Sequence, residues 1–150
     1  MILSGNEIAS EVAAGRIIIE PFQEKCVNPN SYNYHLGQEL KFAPAGIIDA
    51  RGPKQWETVQ LATQNGFVLM PGTLYLGHTL ERIGSGHYVT SLIGKSSMGR
   101  LGLYLQISAD LGHQGAVHNW TLELCVVQPF CVYSGMVIGQ VSFWVTSGEV

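Results

Sequence analysis

The chain of 150 residues carries 8 Lys and Arg against 11 Asp and Glu, so its formal charge is −3 and no basic surface for nucleic acid is expected. It has no apolar run near the about 18 residues that a membrane-spanning helix needs, and its first residues do not form a signal peptide. Three cysteines without a CxxC pair favour reduced, buried thiols in a cytoplasmic protein. The length predicts one domain over residues 1–150.

The surface is predicted to be partly covered by other copies of the chain. Only 13% of the residues are charged and 46% are hydrophobic, whereas about 25% charged residues are usual. A small monomer needs a charged surface to stay in water. The shortage of charge therefore indicates a homo-oligomer.

A short helix is predicted at the beginning of the chain, over residues 5–14. Ser4 and Glu7 form an S-x-x-E capping box at its start. Gly15 suits the left-handed conformation that commonly follows the last turn of a helix. After this glycine the helical period is lost.

The rest of the chain consists of short runs of β-forming residues, separated by turn residues such as Pro71-Gly72 and Ser134-Gly135. Many short strands behind one leading helix are typical of a closed or jelly-roll-like fold, so we predict an all-β domain. The polar, weakly patterned stretch 46–65 is predicted to be a loop or flap. The predicted strands cover residues 17–19, 39–42, 67–69, 73–76, 88–92, 103–107, 120–127 and 137–145.

The turn Gly94-Lys95-Ser96-Ser97 follows a predicted strand and precedes a predicted short helix that runs towards residue 101. The two serines are candidates for capping that helix. Backbone amides at such a terminus, together with the lysine and the hydroxyls, are suited to bind an anion. The turn is not a P-loop, because that motif needs a glycine where this chain has Val89. The residues alone support a solvated turn and a phosphate site equally.

Glu123 is a carboxylate among apolar neighbours in the predicted strand 120–127. Burial would disfavour its charged form and make it a better proton acceptor, as a general base requires. Alternatively, it lies on a solvated strand face beside Thr121, since residues i and i+2 share a face. Both interpretations stay open at this point.

No metal site is predicted. The histidines contain no HxH or HxxxH pair, and the HxE and PCxxC signature of zinc nucleobase deaminases is absent. Cys125 and Cys131 flank a Gln-Pro turn and are expected to be buried thiols rather than ligands. Hydrogen-bonded structural roles are expected for the histidines, which are His35, His78, His87, His113 and His118.

Several segments, taken in chain order, resemble the dCTP deaminase family, a trimeric branch of the dUTPase-like superfamily. The resemblance is densest around the Gly94-Lys95-Ser96-Ser97 turn and the Thr121-Leu122-Glu123-Leu124 run. It covers nearly the whole chain, and the segments keep the order and spacing of the family. They are residues 1–4, 15–22, 30–37, 71–77, 94–103, 121–124 and 133–140.

The resemblance implies a distorted, jelly-roll-like β-barrel of the dUTPase-like β-clip type, with one N-terminal helix and a short helix after the 94–97 turn. It implies hydrolytic deamination of dCTP, or of a related cytosine nucleotide, to dUTP and ammonia without a catalytic metal. Glu123 would be the general base that activates water for attack on C4 of cytosine. Ser96 and Arg100 would position this water and stabilise the tetrahedral intermediate.

The resemblance also implies partners and further contacts. The expected partners are a pyrimidine nucleotide and two other copies of the chain, in a homotrimer whose active sites lie at subunit boundaries. No cofactor is expected for catalysis, and Mg²⁺ would accompany the triphosphate. The residues expected to contact the nucleotide are Lys95, Ser96, Ser97, Arg100, Ile107, Ala109, His113 and Gln140.

Three features depart from the family pattern. His113 stands where the family has a carboxylate that holds the deoxyribose, and Asp110 lies three residues before it. Asn33 replaces an aspartate, and Tyr34-His35 replace a Leu-Arg pair. The family's C-terminal segment, which closes over the nucleotide, has no counterpart up to Val150.

These departures keep two other functions open. The chain is alternatively a nucleotide-binding or regulatory protein that has the fold without catalysis. A dUTP pyrophosphatase is less favoured, because the strand around Glu123 resembles the deaminase version and a glycine-rich C-terminal motif is absent.

Overall fold

The computed structural model of the chain describes residues 1–148, and over that range no helix is long and apolar enough to cross a bilayer. The helices are α1 (Gly5–Ala13) and α2 (Ser96–Gly99), and a 3₁₀ helix covers Glu24–Cys26. The strands are β1 (Ile17–Glu20), β2 (Val27–Asn28), β3 (Ser31–His35), β4 (Glu39–Phe42), β5 (Glu57–Gln60), β6 (Phe67–Leu69), β7 (Tyr75–His78), β8 (Arg82–Ser85), β9 (Val89–Gly94), β10 (Leu103–Leu105), β11 (Leu111–Gly112), β12 (Val117–His118), β13 (Thr121–Val126), β14 (Phe130–Val132) and β15 (Val137–Trp144).

The predicted N-terminal helix is confirmed to within one residue. Ser4 is the N-cap, and its hydroxyl accepts a hydrogen bond from the backbone N–H of Glu7 at 3.2 Å. Gly15 has a φ of 74°, the left-handed conformation expected after the last turn. The helix therefore begins and ends where its local sequence specifies.

Glu11 fixes α1 to the neighbouring strands. Its carboxylate forms a bidentate ion pair with Arg16 and accepts a hydrogen bond from the Tyr88 hydroxyl at 2.8 Å. The hydrogen bond from Arg16 is the main cause that lowers the pKa of Glu11 to about 2. The carboxylate thus stays ionised, and it holds the helix against the chain that enters β9.

Two five-stranded antiparallel sheets form most of the domain. Their strand orders are β10-β13-β7-β4-β5 and β11-β9-β15-β3-β2. A three-stranded sheet, β1-β8-β12, and the ribbon β14-β6 complete the strand pairings of the described residues. Buried side chains from both large sheets form one apolar core. The all-β, jelly-roll-like prediction is confirmed.

A buried contact between Glu81 and His35 joins β3 to the segment before β8. Glu81 is fully buried; one carboxylate oxygen accepts from the backbone N–H of His35 at 2.9 Å, and the other contacts Nδ1 of the same histidine. The histidine Nε2 lies 4.0 Å from Sγ of Cys26. Every buried side-chain nitrogen and oxygen within residues 1–148 has a hydrogen-bond partner.

A close approach between strands requires glycine at position 139. Tyr34 on β3 donates its hydroxyl hydrogen to the carbonyl oxygen of Ile93 on β9, at 3.0 Å. A Cβ atom at Gly139 on β15, the strand between them, would lie 2.1 Å from the tyrosine oxygen and 2.6 Å from the Ile93 oxygen. Only a residue without a side chain fits there.

Several predicted elements are wrong in detail. The predicted loop 46–65 contains β5, an edge strand that pairs with β4. The predicted strand 103–107 ends at Leu105, because Gln106 has a φ of 50°, which breaks the extended conformation. The sequence patterns did not predict β2, β3, β8, β11, β12 and β14.

The expectation of three buried thiols is wrong for one cysteine and partly wrong for another. Cys26 is buried, Cys125 is half-buried and Cys131 is exposed. Cys131 lies in the ribbon β14-β6, where Val132 occupies the buried side. Alternation along the strand therefore turns the Cys131 side chain towards solvent.

Candidate active site

Glu123 lies on the outward face of β13, in the first five-stranded sheet. Leu122 and Leu124 on either side of it are buried, and Glu123 itself is half-buried. It pairs with Leu76 of β7 across the ladder. Tyr104 of β10, on the other neighbouring strand, is 45% exposed. The single chain therefore places this carboxylate on a partly apolar sheet surface that is open to a further occupant.

The loop after β10 is joined to Glu123 through Gln106. The Gln106 side-chain oxygen accepts from the backbone N–H of Glu123 at 2.7 Å, and its amide nitrogen donates to the Ala109 carbonyl at 3.1 Å. Ile107 lies in this loop with 71% of its surface exposed. The structure thus links Glu123 to Ala109 through Gln106, and Ile107 lies in the loop between them and not in the predicted strand 103–107.

Gln106 is a site residue that the sequence analysis did not identify. It follows the alternation of Leu103 and Leu105 as one more outward-facing polar residue, and nothing in that pattern predicts a special role. Its importance comes from the positive φ and from two side-chain hydrogen bonds. One of these bonds joins it to Glu123, 17 positions along the chain.

Lys95 connects β9 to α2, and Ser96 and Ser97 are the first two residues of α2. Residues 95–97 are called the 95–97 turn. Lys95 is the N-cap residue of α2, and its side chain makes no capping hydrogen bond. Ser96 and Ser97 are exposed and lie inside the helix, so the prediction that the serines cap it is wrong. All three residues stand at the end of β9, with the serine hydroxyls open to solvent.

Gln140 lies close to this turn on the neighbouring strand. Gly139 and Gln140 of β15 pair with Gly94 and Ile93 of β9, so Gln140 is adjacent to the strand end that leads into Lys95. Its side-chain oxygen accepts a hydrogen bond from Ser31. The structure therefore brings Gln140 and the 95–97 turn to one part of the second five-stranded sheet.

Asn33 belongs to the same polar group as Gln140. The two residues pair directly across β3 and β15. The Asn33 side-chain oxygen accepts from Asn28 at 2.9 Å, and Asn28 also donates to Ser31 at 3.2 Å. The residue that departs from the family aspartate is therefore bound within a neutral hydrogen-bond network.

Arg100 is not joined to Glu123 within the chain. It lies three residues before Leu103, which pairs with Val126, whereas Glu123 is at the other end of the same ladder, opposite Gln106. Three residues of strand span roughly 10 Å. Among the described residues no hydrogen bond or ion pair connects the two side chains. Within residues 1–148, Arg100 and Glu123 are thus candidate residues without a direct contact.

His113 lies in an exposed turn between β11 and β12. Its carbonyl oxygen accepts from the N–H of Ala116 at 3.1 Å, and Gly115 has a φ of 90°. Asp110, the nearest carboxylate in the sequence, accepts a hydrogen bond from Ser91 of β9 at 3.0 Å. The Asp110 side chain is thus bound to β9 and does not take the place of a carboxylate at the 113 turn.

The described residues show no metal-ligand cluster, and three described cavities lie apart from the candidate site. Within residues 1–148, no group of three or more His, Cys, Asp or Glu side chains is placed to hold a metal ion. Two cavities of about 260 and 510 Å³ are lined by residues between 42 and 57, the second also by residues 72–75, and one of about 280 Å³ is lined by residues 4–6 and 27–29. None of the candidate site residues lines them.

Comparisons with known proteins identify the family. The model of the family described as dCTP deaminase-like matches residues 2–146. A Clostridium beijerinckii protein named "dCTP deaminase, dUMP-forming" is 43% identical over 149 residues, which is 99% of this chain and 85% of that protein. A Rhodopirellula baltica protein named "dCTP deaminase" is 41% identical over 149 residues, 99% of this chain and 74% of that protein.

A solved structure shows the same fold. The crystal structure of 2′-deoxycytidine 5′-triphosphate deaminase from Agrobacterium tumefaciens is similar with a TM-score of 0.76 and 22% sequence identity. The match covers 97% of this chain, which spans about half (48%) of that chain's length. This likeness shows that the two chains share a fold, and the family match and the identities above 40% confirm the resemblance in the sequence motifs. The chain belongs to the dCTP deaminase-like family.

Proposed function

We propose that the chain hydrolyses the C4 amino group of dCTP, or of a closely related cytosine nucleotide, with Glu123 as the general base. Family membership and relatives about 40% identical over the whole chain make it a hydrolase that acts on a C–N bond of a cytosine nucleotide. One observation supports the role of Glu123 most: its backbone is bound through Gln106 to the Ala109 carbonyl, in the loop that the resemblance places beside the cytosine ring.

The proposed reaction uses one water molecule and releases ammonia. Glu123 takes a proton from the water as its oxygen attacks C4, and a tetrahedral intermediate forms. The carboxyl group delivers this proton to N3, then takes the hydroxyl proton of the tetrahedral intermediate and passes it to the amino group, so that the C4–N bond breaks, ammonia leaves and the C4 carbonyl of uracil forms. Ser96 and Arg100 position the water and stabilise the charge that develops at C4. In metal-dependent deaminases the metal ion helps the attacking water to lose its proton. Here the half-buried carboxylate is proposed to remove that proton.

The triphosphate is proposed to bind near the 95–97 turn. Lys95, Ser96 and Ser97 offer an ammonium group and two hydroxyls at one strand end, with Gln140 on the adjacent strand. Charge-assisted hydrogen bonds of this kind suit phosphate oxygens. In this proposal Mg²⁺ arrives as part of the substrate, bound to the triphosphate. His113 would face the sugar in place of a carboxylate.

The complete site is proposed to form between copies of the chain in a homotrimer. Glu123 and Arg100 lie at opposite ends of the β10-β13 ladder, so a second copy has to supply the residues that one copy lacks. Exposed apolar side chains surround the candidate residues, among them Leu101 at 53%, Tyr104 at 45% and Ile107 at 71% exposed. Such a surface is typical of an interface.

Mixing two inactive variants tests the shared site. Glu123→Gln and Arg100→Ala trimers are each expected to be inactive. If each site takes Glu123 from one copy and Arg100 from the next, a randomly mixed trimer regains about one quarter of the wild-type activity. Equal amounts are unfolded and refolded together, or coexpressed, and the mass is measured by light scattering. No recovery in mixed trimers, or a monomer at micromolar concentration, would contradict the shared site.

A second candidate concerns the product. The Clostridium relative is named as dUMP-forming, which favours removal of pyrophosphate from the same nucleotide after or with deamination. The overall products would then be dUMP, ammonia and pyrophosphate instead of dUTP and ammonia. Both candidates share the deamination step at Glu123.

Chromatography of the reaction products tests the proposed function and separates the candidates. The protein is incubated with Mg²⁺ and, in turn, dCTP, CTP, 5-methyl-dCTP and dUTP, and ammonia, nucleotides and pyrophosphate are measured. Ammonia and dUTP from dCTP support the first candidate, and ammonia with dUMP supports the second. Pyrophosphate from dUTP alone indicates a pyrophosphatase. Tight nucleotide binding without turnover indicates a binding protein and overturns the proposal.

A further inference from the structure

Gln106 has a backbone conformation that glutamine rarely adopts. Its φ of 50° lies in the left-handed region, and it is the one residue other than glycine with a positive φ within residues 1–148. In this region the Cβ atom approaches the following carbonyl oxygen, so such residues persist only where neighbouring groups fix them. They are frequent at active sites. The position therefore needs a specific explanation.

The groups that fix Gln106 are the backbone of Glu123 and the loop that follows. Its backbone N–H donates to the Glu123 carbonyl at 3.3 Å, and its side-chain oxygen accepts from the Glu123 N–H at 2.7 Å. Its side-chain nitrogen donates to the Ala109 carbonyl at 3.1 Å. The side-chain oxygen thus replaces the strand partner that Glu123 loses where β10 ends.

We propose that Gln106 is a positioning residue that holds the general base Glu123 in fixed register with the Ala109 carbonyl. The inference rests on the proposed function, in which Glu123 activates water and the 107–109 loop borders the cytosine ring. A backbone carbonyl has two lone pairs, so the Ala109 oxygen can accept a second hydrogen bond from the substrate. One side chain then sets the distance between the proton acceptor and the ring that is attacked.

Only a primary amide of this length makes both contacts. Glutamate keeps an acceptor for the Glu123 N–H but presents no donor to the Ala109 carbonyl. Asparagine has the same amide and tolerates the left-handed region, but it is shorter by one methylene. Glycine relieves the backbone strain and removes both side-chain hydrogen bonds. These three substitutions separate the contacts from the conformation.

The test compares Gln106→Gly, Gln106→Asn and Gln106→Glu with the wild type, by steady-state deamination of dCTP and by thermal unfolding. Gln106→Gly and Gln106→Asn are expected to lower kcat about 100-fold, since a misplacement of about 1 Å from the productive geometry costs that much. Gln106→Glu keeps the bond to Glu123 and loses the one to Ala109, so it is expected to lower kcat less than the other two variants and to raise KM through the loosened loop. Gln60→Asn, an exposed residue on the edge strand β5, is the matched control and should be unchanged.

Thermal unfolding distinguishes positioning from a general structural role. Gln106→Gly is expected to unfold within a few degrees of the wild type, because glycine accepts the positive φ without strain. A fall in kcat with unchanged unfolding temperature supports the proposal. Loss of activity that follows loss of folded protein, or a change of KM alone in Gln106→Gly, overturns it.

The failure of this inference can be told apart from the failure of the proposed function. If the wild type releases ammonia from dCTP and all three variants keep its kcat, only the role of Gln106 is wrong. If the wild type does not deaminate any cytosine nucleotide, the proposed function is wrong, and the inference that rests on it falls as well.

Discussion

Glu123→Gln is expected to lower kcat for dCTP deamination by about 100- to 10,000-fold and to leave KM within a factor of about three. The glutamine side chain has the same shape but cannot take a proton from water. Its amide still fills the half-buried position on β13 between Leu122 and Leu124, so the sheet should fold normally. Steady-state rates of ammonia release and an unchanged circular dichroism spectrum check this result.

One control variant and one variant of the proposed phosphate site are compared with Glu123→Gln. Glu57→Gln, an exposed carboxylate on the edge strand of the same sheet, should keep wild-type activity. Lys95→Ala should mainly raise KM, by roughly 10- to 150-fold, because it removes a charge-assisted hydrogen bond to phosphate worth about 1.5–3 kcal/mol. Equal increases in KM alone for Glu123→Gln and Lys95→Ala would show that the two roles are wrongly assigned.

Glu81→Ala is expected to lower the free energy of unfolding by about 2–6 kcal/mol, because it leaves two buried polar groups without a hydrogen-bond partner, at roughly 1–3 kcal/mol each. The carboxylate is fully buried and satisfies both the backbone N–H and the ring Nδ1 of His35. Without it, two polar groups on β3 remain in the core with no partner. For a chain of this size the melting temperature should fall by on the order of 10 °C.

An exposed carboxylate in an ion pair provides the comparison for Glu81. Glu20→Ala removes the partner of Arg82 in a surface contact of 3.4 Å, and such pairs contribute about 1 kcal/mol or less. Thermal and urea unfolding of both variants measure the difference. If Glu81→Ala does not yield folded protein, Glu81→Gln, which keeps an acceptor for the His35 N–H, gives an intermediate value. A Glu81 variant as stable as Glu20→Ala would contradict the structural role.

The local patterns predicted the N-terminal helix and eight of the fifteen strands of the described residues. They failed where partners distant in the sequence decide the structure. Strand β3 has the sequence SYNYH, which is polar by composition. Tyr34 and His35 are nevertheless buried, because they reach the Ile93 carbonyl and Glu81 far along the chain. No single-sequence pattern shows such partners in advance. Likewise β5 is exposed and polar, and only its pairing with β4 makes it a strand.

The family resemblance names the candidate site residues, but it does not show how the fold arranges them. The motif positions of Glu123, Lys95 and Gln140 follow from the family resemblance, and the structure places Gln140 next to the strand that leads into Lys95. The separation of Glu123 from Arg100 follows from the register of β10 and β13, which the sequence does not contain. The role of Gln106 depends on a single dihedral angle and two contacts, and the sequence shows neither.

The close approach at Gly139 links two positions in evolution. Because the Tyr34 hydroxyl occupies the space of a Cβ atom at 139, a homologue with any side chain at 139 has to carry a shorter residue at 34. The two sites should therefore covary in an alignment of the family, tyrosine with glycine. Since Gln140 follows directly, this pair also restricts how that edge of the proposed nucleotide site can diversify.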